Sequence, residues 1–188
     1  MRICAGEFKG RAIKIPKSNQ IRPTTDKLRE AIFSSLGDDI IDSPVADLFC
    51  GSGSLGLEAL SRGASTALFV DDDRNSICTL KENVEKLKVW PRAKIMAMNV
   101  FKIRPAYLST CKIIFADPPY KQGYLDRLIV FLSLPKAQWG GIMVLEHETE
   151  WSFPGGGISL LKRIDSGDSA VSIFLKKQEQ RERIDKGI

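Results

Sequence analysis

Histidine and paired cysteines are what this sequence has little of. His147 is the single histidine, and no two of the four cysteines stand in a Cys-x-x-Cys pair. Zinc sites draw mainly on these two residue types at close spacing. We therefore expect no metal-dependent chemistry, and we expect cysteines that remain free thiols in a reducing compartment.

Long apolar runs are also missing. No stretch approaches the ~20 apolar residues that a membrane-spanning helix needs, and the first residues lack the apolar segment of a secretion signal. With 188 residues, of which 43% are hydrophobic and 27% charged, the chain can bury one substantial core. We expect a soluble, cytoplasmic protein without a membrane partner.

Acidic residues are scarce in one part of the chain, the first 36 residues. That segment holds eight basic and three acidic residues, whereas the rest of the chain holds 20 of each, so the whole net charge of +5 lies at the N-terminus. A focused basic patch favours a polyanionic partner such as nucleic acid. A solvated surface with no partner would have the same composition.

A glycine-rich turn follows an apolar segment in the first third of the chain. Residues 45–49 predict a buried strand, and Gly51-x-Gly53-x-x-Gly56 then leads into a helical pattern over residues 55–62. Glycines let the backbone approach a ligand closely, and the free N–H groups of the helix point toward it. The spacing matches the dinucleotide-binding motif, which is a weak signal on its own.

Two acidic residues narrow the choice of ligand. Asp47 lies in the strand before the glycines, and Asp71 ends the next apolar segment, 20 residues after Gly51. A carboxylate at the second position can accept both hydroxyls of a ribose. An acid before the glycines would repel a pyrophosphate but attract an ammonium or sulfonium group. S-adenosylmethionine therefore fits these residues better than NAD.

Strand and helix patterns alternate from residue 45 onward, which predicts a mostly parallel sheet with helices on both faces. Preceding them, residues 2–15 resemble a hairpin, and Thr24 or Thr25 caps a helix that reaches residue 36. We divide the chain into an N-terminal hairpin and helix extension (1–37), a main α/β domain (38–176) and a charged tail (177–188). The predicted strands are 45–49, 66–70, 94–98, 112–116 and 141–146, the predicted helices 55–62, 74–87 and 124–134, and an antiparallel hairpin covers 158–164 and 170–175.

Asp117-Pro118-Pro119-Tyr120 is the most specific local motif. It directly follows a predicted buried strand, and two prolines fix the backbone there. The Asp117 carboxylate and a proline carbonyl can accept the two N–H bonds of an exocyclic base amine, while Tyr120 stacks on the base. Such positioning stabilises the transition state of methyl transfer to a poorly nucleophilic nitrogen.

Taken together, these motifs resemble one family, the bacterial 16S ribosomal RNA guanine-N2 methyltransferases that use S-adenosylmethionine. The resemblance covers nearly the whole chain, and its most specific parts precede the sheet. It is carried by residues 6–11 (GEFKGR), 22–33 (RPTTDKLREAIF), 47–64 (DLFCGSGSLGLEALSRGA), 117–120 (DPPY) and 167–172 (GDSAVS).

The resemblance implies a Rossmann-like class I methyltransferase with a seven-stranded, mostly parallel sheet, an antiparallel C-terminal hairpin and a small N-terminal extension. It also implies a monomer that acts on 16S rRNA in the small subunit or in its assembly intermediates. The implied cofactor-binding residues are Asp47, Phe49, Gly51, Gly53 and Gly56 for the methionine part, Asp71 or Asp72 for the ribose, and Asn99 and Val100 for the adenine. The implied guanine-binding and catalytic residues are Asp117, Pro118, Pro119 and Tyr120, and the implied RNA contacts are Lys9, Arg11, Lys14, Arg22 and Arg29.

Four other functions remain open on the sequence. An adenine-N6 methyltransferase acting on RNA or DNA would use Asp117-Pro118-Pro119-Tyr120 in the same way. A protein glutamine methyltransferase usually carries Asn at the position of Asp117. A ribosome-assembly factor without catalysis would not need Gly51, Gly53 and both acids. An NAD-dependent dehydrogenase gives the Asp-Pro-Pro-Tyr motif no role.

Overall fold

A seven-stranded sheet forms the centre of the molecule in our computed structural model, which describes residues 1–16, 25–119, 123–134, 137 and 139–177. The spatial order of the strands is β3-β2-β1-β4-β5-β7-β6. The strands are β1 (Pro44–Leu48), β2 (Thr66–Asp71), β3 (Ala93–Ala97), β4 (Ile113–Ala116), β5 (Gly141–Glu148), β6 (Ser159–Ser166) and β7 (Ser169–Lys176). Within the described residues, the α-helices are α1 (Asp26–Leu36), α2 (Ser54–Ser61), α3 (Arg74–Leu87) and α4 (Tyr124–Ser133).

The first five strands are parallel, and β7 runs antiparallel between β5 and β6. β1 lies between β2 and β4, with Asp47 opposite Phe69 on one side and Phe115 on the other. The carboxyl ends of these strands therefore meet at one edge of the sheet, where ligands bind in open α/β folds. The predicted parallel sheet and its C-terminal antiparallel hairpin are confirmed.

Apolar side chains cover both faces of the sheet. On one face, Val45, Phe69 and Phe115 pack under α1, α2 and α3, and the rings of Phe33 and Phe115 lie 5.5 Å apart. On the other face, Leu48 and Ile114 pack under α4. Since alternate residues of each strand enter different cores, their near-continuous apolar sequence is what a doubly covered strand requires.

Local capping signals place the helix ends where the sequence predicts them. The Thr25 hydroxyl accepts a hydrogen bond from the Leu28 N–H at the start of α1, and α1 ends at Gly37. The Asp73 carboxylate accepts from the Ser76 N–H at the start of α3. A side-chain acceptor at this position satisfies an otherwise unpaired N–H of the first turn. α1 and α3 have the predicted bounds, α2 is shifted by one residue at both ends, and α4 ends one residue earlier than predicted.

The N-terminal extension forms a short version of the predicted hairpin. One antiparallel bridge pairs Arg2 with Ala12, and three backbone hydrogen bonds cross between the two arms, from the N–H groups of Ile3, Gly10 and Ile13 to the carbonyls of Arg11, Ile3 and Met1. The hairpin is also attached to α2. The backbone N–H groups of Cys4 and Ala5 donate to the Glu58 carboxylate at 2.7 and 3.0 Å, and that of Glu7 donates to the Ser61 carbonyl.

Ile3, Phe8 and Ile13 join the same apolar core as α2 and α3. The extension is thus packed against the catalytic part of the chain, and the proposed boundary at residue 37 stays a prediction, as does the start of the charged tail. None of the helices in the described part of the chain is long and apolar enough to cross a membrane.

Candidate active site

The glycine turn is held by the acid that precedes it. The Asp47 carboxylate, 3% exposed, accepts a hydrogen bond from the Gly56 N–H at 2.8 Å. Gly53 stands at the N-cap of α2 and offers no side-chain acceptor, so the Asp47 carboxyl group supplies the acceptor that the first turn of the helix requires. This hydrogen bond fixes the glycine turn to the end of β1.

Two glycines of the turn meet different requirements. A Cβ on Gly56 would come 2.3 Å from Phe69 Cε1 and 3.1 Å from Asp47 Oδ2, so no other residue fits there. Gly51 has φ +52° and its Cβ would meet nothing within 4 Å. The turn thus packs tightly against the sheet at Gly56 while its Gly51 side faces open space that a ligand can enter.

Asp71, Asp72 and Asn99 lie beside this turn. Both Asp71 oxygens accept backbone bonds, from the N–H groups of Gly51 and Asp73 at 2.8 Å each. Asp72 is exposed and accepts from the Asn99 amide at 3.0 Å, while the Asn99 oxygen accepts from the Phe101 N–H. The structure brings the predicted ribose and adenine residues together, with Val100 buried behind them.

Asp117 follows β4 directly, next to the glycine turn. Its N–H donates to the Leu48 carbonyl at 3.4 Å, so the pairing between β1 and β4 continues to this residue. Asp117 is half-buried, Pro118 is buried and Pro119 is exposed. The predicted amine-binding acid and the predicted methionine-binding turn therefore lie at neighbouring strand ends. Tyr120 lies outside the described residues.

The carboxyl groups at this edge are hard to ionise. Burial raises the pKa of Asp47 to about 8, with the Gly56 hydrogen bond opposing the shift and the Asp71 charge adding to it. Burial also raises the pKa of Asp71. Burial first, and then the charges of Glu146 and Asp47, raise the pKa of Asp117 well above its usual range. A cationic ligand in this position would make ionisation of these carboxyl groups easier, because it would stabilise their charged forms.

Partly exposed rings line the other side of the same edge. Phe49, which has φ +57°, lies 6.0 Å from Phe101 and 5.8 Å from Tyr124 between ring centroids. Phe101 and Tyr124 stack at 5.8 Å, and the Arg127 guanidinium lies 4.0 Å from the centre of the Phe101 ring. With this backbone conformation, the Phe49 ring packs against Tyr124 and against Phe101, which follows Asn99 and Val100 in the chain.

The predicted RNA contacts separate into different environments. Lys9, Arg11 and Lys14 are exposed, and the Lys14 ammonium forms an ion pair with Glu82 at 2.5 Å. Arg22 lies outside the described residues.

Arg29 is a correction. Its side chain is 1% exposed, and its Nη2 donates to the Arg2 carbonyl at 2.8 Å and to the Asp26 carboxylate at 2.7 Å. The predicted phosphate contact was wrong, because α1 turns this residue inward, where it ties the helix to the start of the extension.

The sequence analysis missed two buried polar residues, and one of them links the N-terminal extension to the glycine turn. Asn83 of α3, with no exposed surface, accepts from the Lys14 N–H at 2.7 Å and donates to the Lys14 and Ser52 carbonyls at 3.0 Å each. It joins the extension to the glycine turn. A polar residue within the apolar stripe of a predicted helix was the available signal. Glu146, at the end of an apolar strand segment, offered the same kind of signal.

His147 is buried within β5 and holds two hydrogen bonds. Its Nδ1 donates to the Glu148 carbonyl at 2.7 Å, so its Nε2 accepts from the Ser172 hydroxyl at 2.8 Å. Burial lowers the pKa of this imidazole, and its hydrogen bond to the Glu148 carbonyl opposes the shift. His147 is a structural residue whose ring packs at a tilt of 56° against Trp151, with 4.6 Å between ring centroids.

The sequence matches known proteins over most of its length. A family model described as Conserved hypothetical protein 95 matches residues 1–175. A Bacillus subtilis protein named as an rRNA methyltransferase, YlbH, is 34% identical over 183 residues, which are 94% of this chain and 100% of that protein. Ribosomal RNA small subunit methyltransferase D of Escherichia coli is 38% identical over 132 residues, which are 70% of this chain and 66% of that protein.

The chain belongs to the small-subunit rRNA methyltransferase D family. A solved Escherichia coli structure named as a methyltransferase, yhhF, superposes with a TM-score of 0.81 and 31% identity, covering 95% of this chain and 99% of that one. An RNA methyltransferase from Salinibacter ruber, solved with S-adenosyl-L-homocysteine, superposes with a TM-score of 0.66 at 14% identity over 88% and 100% of the two chains, which shows the shared fold.

The family and the fold agree with the geometry of the site. The chain has the class I fold of the S-adenosylmethionine-dependent methyltransferases, and as a family member it is an rRNA methyltransferase. The predictions of the family and of the fold class are confirmed.

Proposed function

We propose that this rRNA methyltransferase transfers a methyl group from S-adenosylmethionine to the N2 amine of a guanine in 16S rRNA. The observation that carries the proposal is the adjacency of two strand ends. The turn after β1 (Gly51 to Gly56) and Asp117 after β4 lie side by side, so a donor on the turn would meet an acceptor held by Asp117.

The free space and the acidic groups at this edge support S-adenosylmethionine as the cofactor. The methionine part would occupy the open space beside Gly51, Asp71 or Asp72 would bind the ribose, and Asn99 and the Val100 backbone would border the adenine. The acids at this edge favour a cation, in agreement with a ligand that carries a sulfonium and an ammonium group. When bound, the cofactor supplies an activated methyl group that needs no further acid catalysis.

Asp117 and the carbonyl of Pro118 or Pro119 would accept the two N–H bonds of the guanine amine. This orients the nitrogen lone pair toward the methyl carbon, and positioning of this kind supplies most of the rate enhancement in such a transfer. As the new N–C bond forms, the methyl–sulfur bond would break and the positive charge would pass to the amine, whose proton the Asp117 carboxylate can take up. Tyr120 would stack on the base, which must leave its own stack to reach the site.

The remaining parts of the proposal concern the substrate and its setting. Lys9, Arg11 and Lys14 would bind phosphates of the small-subunit RNA, either in the assembled particle or in an assembly intermediate. We propose that the enzyme acts as a monomer in the cytoplasm, where ribosomes assemble. A ribosomal target accounts for a basic extension that packs on the helix next to the cofactor site.

Labelled methyl transfer tests the proposal directly. The acceptors are small subunits lacking modifications, naked 16S rRNA and duplex DNA, and each product is digested to nucleosides. We expect N2-methylguanosine from a ribosomal acceptor. N6-methyladenosine in any acceptor would make the protein an adenine-N6 methyltransferase instead, and label in no acceptor, with cofactor bound, would support a non-catalytic assembly factor.

Replacing Asp117 tests the role of its carboxylate. Asp117→Ala should lower the methylation rate by at least about 100-fold, because the amine loses a charged acceptor that acts in the transition state. Its dissociation constant for S-adenosylhomocysteine, measured by calorimetry, should stay within a few-fold of the original. The exposed Asp38→Asn serves as the control and should methylate normally. Retention of activity in Asp117→Ala would refute the amine-positioning role.

A further inference from the structure

Glu146 is a buried acid that the proposed reaction does not yet use. It lies on β5 near its carboxyl end and is 5% exposed. In the parallel register of β4 and β5, Ala116 is opposite Leu145. The next residues along the two strands are Asp117 and Glu146, so their backbones run side by side about 5 Å apart.

Both side chains leave the sheet on the same face. Phe115 and Val144 belong to the core under α1, α2 and α3, and side chains two residues apart on a strand share a face. Asp117 and Glu146 therefore both extend from the face of the sheet that α1, α2 and α3 cover. Two carboxyl groups placed in this way repel each other when charged, and the Glu146 charge accordingly adds to burial in raising the pKa of Asp117.

The base edge beside an exocyclic amine differs between bases. Next to its N2 amine, guanine has the N1–H, a hydrogen-bond donor. Next to the N6 amine of adenine and the N4 amine of cytosine stands a ring nitrogen that carries a lone pair, which is an acceptor. A carboxylate that lies beside the amine-binding position would pair with guanine and would repel the lone pair of the other two bases.

We infer that Glu146 determines the base specificity of the site by accepting a hydrogen bond from the N1–H of the target guanine. The inference rests on the proposed guanine-N2 activity and adds the residue that selects the base. Asp117 holds the amine, which any aminated base offers, whereas Glu146 reads the neighbouring ring position. A carboxylate can accept up to four hydrogen bonds, so this role is compatible with further contacts of Glu146 inside the protein.

Burial makes this discrimination strong. A buried carboxylate without a matching donor carries a desolvation penalty, so a base that presents a lone pair there is disfavoured twice, by the lost hydrogen bond and by repulsion. Sites that hydrogen-bond a specific substrate N–H reject analogues lacking it far more effectively than apolar pockets do.

The test measures base preference rather than activity alone. Nucleoside analysis and mapping with the original enzyme first locate the methylated guanine, and small subunits carrying adenine at that position are then prepared. Glu146→Gln keeps the size of the side chain, and its amide can donate to the adenine N1. Its kcat/KM on the guanine subunit should fall by about 10- to 100-fold. The ratio of guanine to adenine methylation should fall by at least about tenfold.

Two controls separate base reading from a structural role. Glu148→Gln changes an acid two positions along the same strand and should leave the guanine-to-adenine ratio unchanged. The dissociation constant of Glu146→Gln for S-adenosylhomocysteine should stay within about threefold of the original.

Several outcomes would overturn the inference. They are a normal guanine rate in Glu146→Gln, an unchanged base ratio, or loss of activity on both subunits while the cofactor analogue still binds. If the original enzyme makes no N2-methylguanosine, the proposed function itself fails, which the first measurement reveals before any variant is made.

Discussion

At the scale of single residues, Asp47 combines two demands that oppose each other. Its carboxylate accepts the Gly56 N–H and supports the start of α2, yet its burial raises its pKa to about 8. A charge placed near a helix N-terminus is favourable, but removing it from water costs more. Such a balance is typical of sites where a cationic ligand completes the charge pattern.

The raised pKa of Asp47 makes the stability of the ligand-free protein depend on pH. The folded protein keeps this proton up to about pH 8, whereas the unfolded chain releases it near its ordinary value of 3.8. The folded state therefore binds the extra proton between these values, and the free energy of unfolding falls as pH rises through that window. Asp47→Asn, which cannot ionise, should be more stable than the original at pH 9 and closer to it at pH 4.

Urea denaturation at the two pH values measures this difference. Asp39→Asn, an exposed acid on the short helix after α1, is the control and should change stability equally at both. The same stability difference between Asp47→Asn and the original at pH 4 and pH 9 would show that Asp47 titrates normally in the folded protein.

At the scale of secondary-structure elements, α3 joins the extension to the cofactor turn. Asn83 bonds both backbone groups of Lys14 and the carbonyl of Ser52, so a shift of the extension is transmitted to the turn through one side chain. Glu58 of α2 holds the other half of the extension through Cys4 and Ala5. The extension is thereby held at two points on adjacent helices.

Replacing Asn83 should loosen both partners. Asn83→Ala leaves the N–H of Lys14 and two carbonyls without their buried partner, at a cost of about 1–3 kcal/mol for each group that water cannot reach. We expect a total loss of about 2–4 kcal/mol in the free energy of unfolding, together with weaker binding of S-adenosylhomocysteine because the Ser52 carbonyl is released.

A neighbouring substitution on the same helix is the matched control. Glu82→Gln removes the exposed ion pair to the Lys14 ammonium, which contributes about 0–1 kcal/mol. Denaturation and calorimetry should distinguish the two variants clearly. If Asn83→Ala binds the cofactor analogue as tightly as Glu82→Gln does, the connection to the turn has no functional consequence.

At the scale of the whole molecule, charge is distributed unevenly around one active edge. The net +5 lies within the first 36 residues, while the edge that receives the cofactor is acidic. Lys14 is linked to the glycine turn through Asn83, whereas Glu7 and Phe8 lie against Ser61, the last residue of α2. The basic extension therefore follows the length of α2, about 12 Å, and leads toward the acidic site.

The salt dependence of RNA binding should report this arrangement. Replacing the three exposed basic residues Lys9, Arg11 and Lys14 with Gln should weaken binding most at low salt. It should also flatten the plot of log affinity against log salt by about 2, because each lost phosphate contact removes about 0.7 from the slope for single-stranded RNA. The affinity for RNA can be measured by filter binding or fluorescence anisotropy at salt concentrations between about 50 and 300 mM.

A second triple variant keeps the charge change and moves it elsewhere. Arg104, Lys112 and Lys162 are exposed and lie outside the extension, so their replacement with Gln should change the slope much less. Equal slopes for the two triple variants would mean that net charge, rather than the extension, attracts the RNA.

The sequence by itself determined the features that depend only on residues close together in the chain. Strand and helix periods, the Thr25 and Asp73 caps and the glycine spacing depend on stretches of about 5 to 15 residues, so α3 and the alternation of strands and helices in a doubly covered sheet followed from pattern alone. The acids after strand ends were also predictable, because parallel strands bring their carboxyl ends to one edge.

Only the tertiary structure decided which distant groups meet. Arg29 has the sequence of an exposed helix residue, yet the packing of α1 against the extension buries it. The hairpin of the extension follows from its local pattern, but its attachment to α2 depends on Glu58 and Ser61, which accept hydrogen bonds from its free N–H groups. Glu146 became a neighbour of Asp117 through the register of β4 and β5. Contacts of this kind join residues 25 or more positions apart, and no local sequence pattern specifies which distant residue forms the contact.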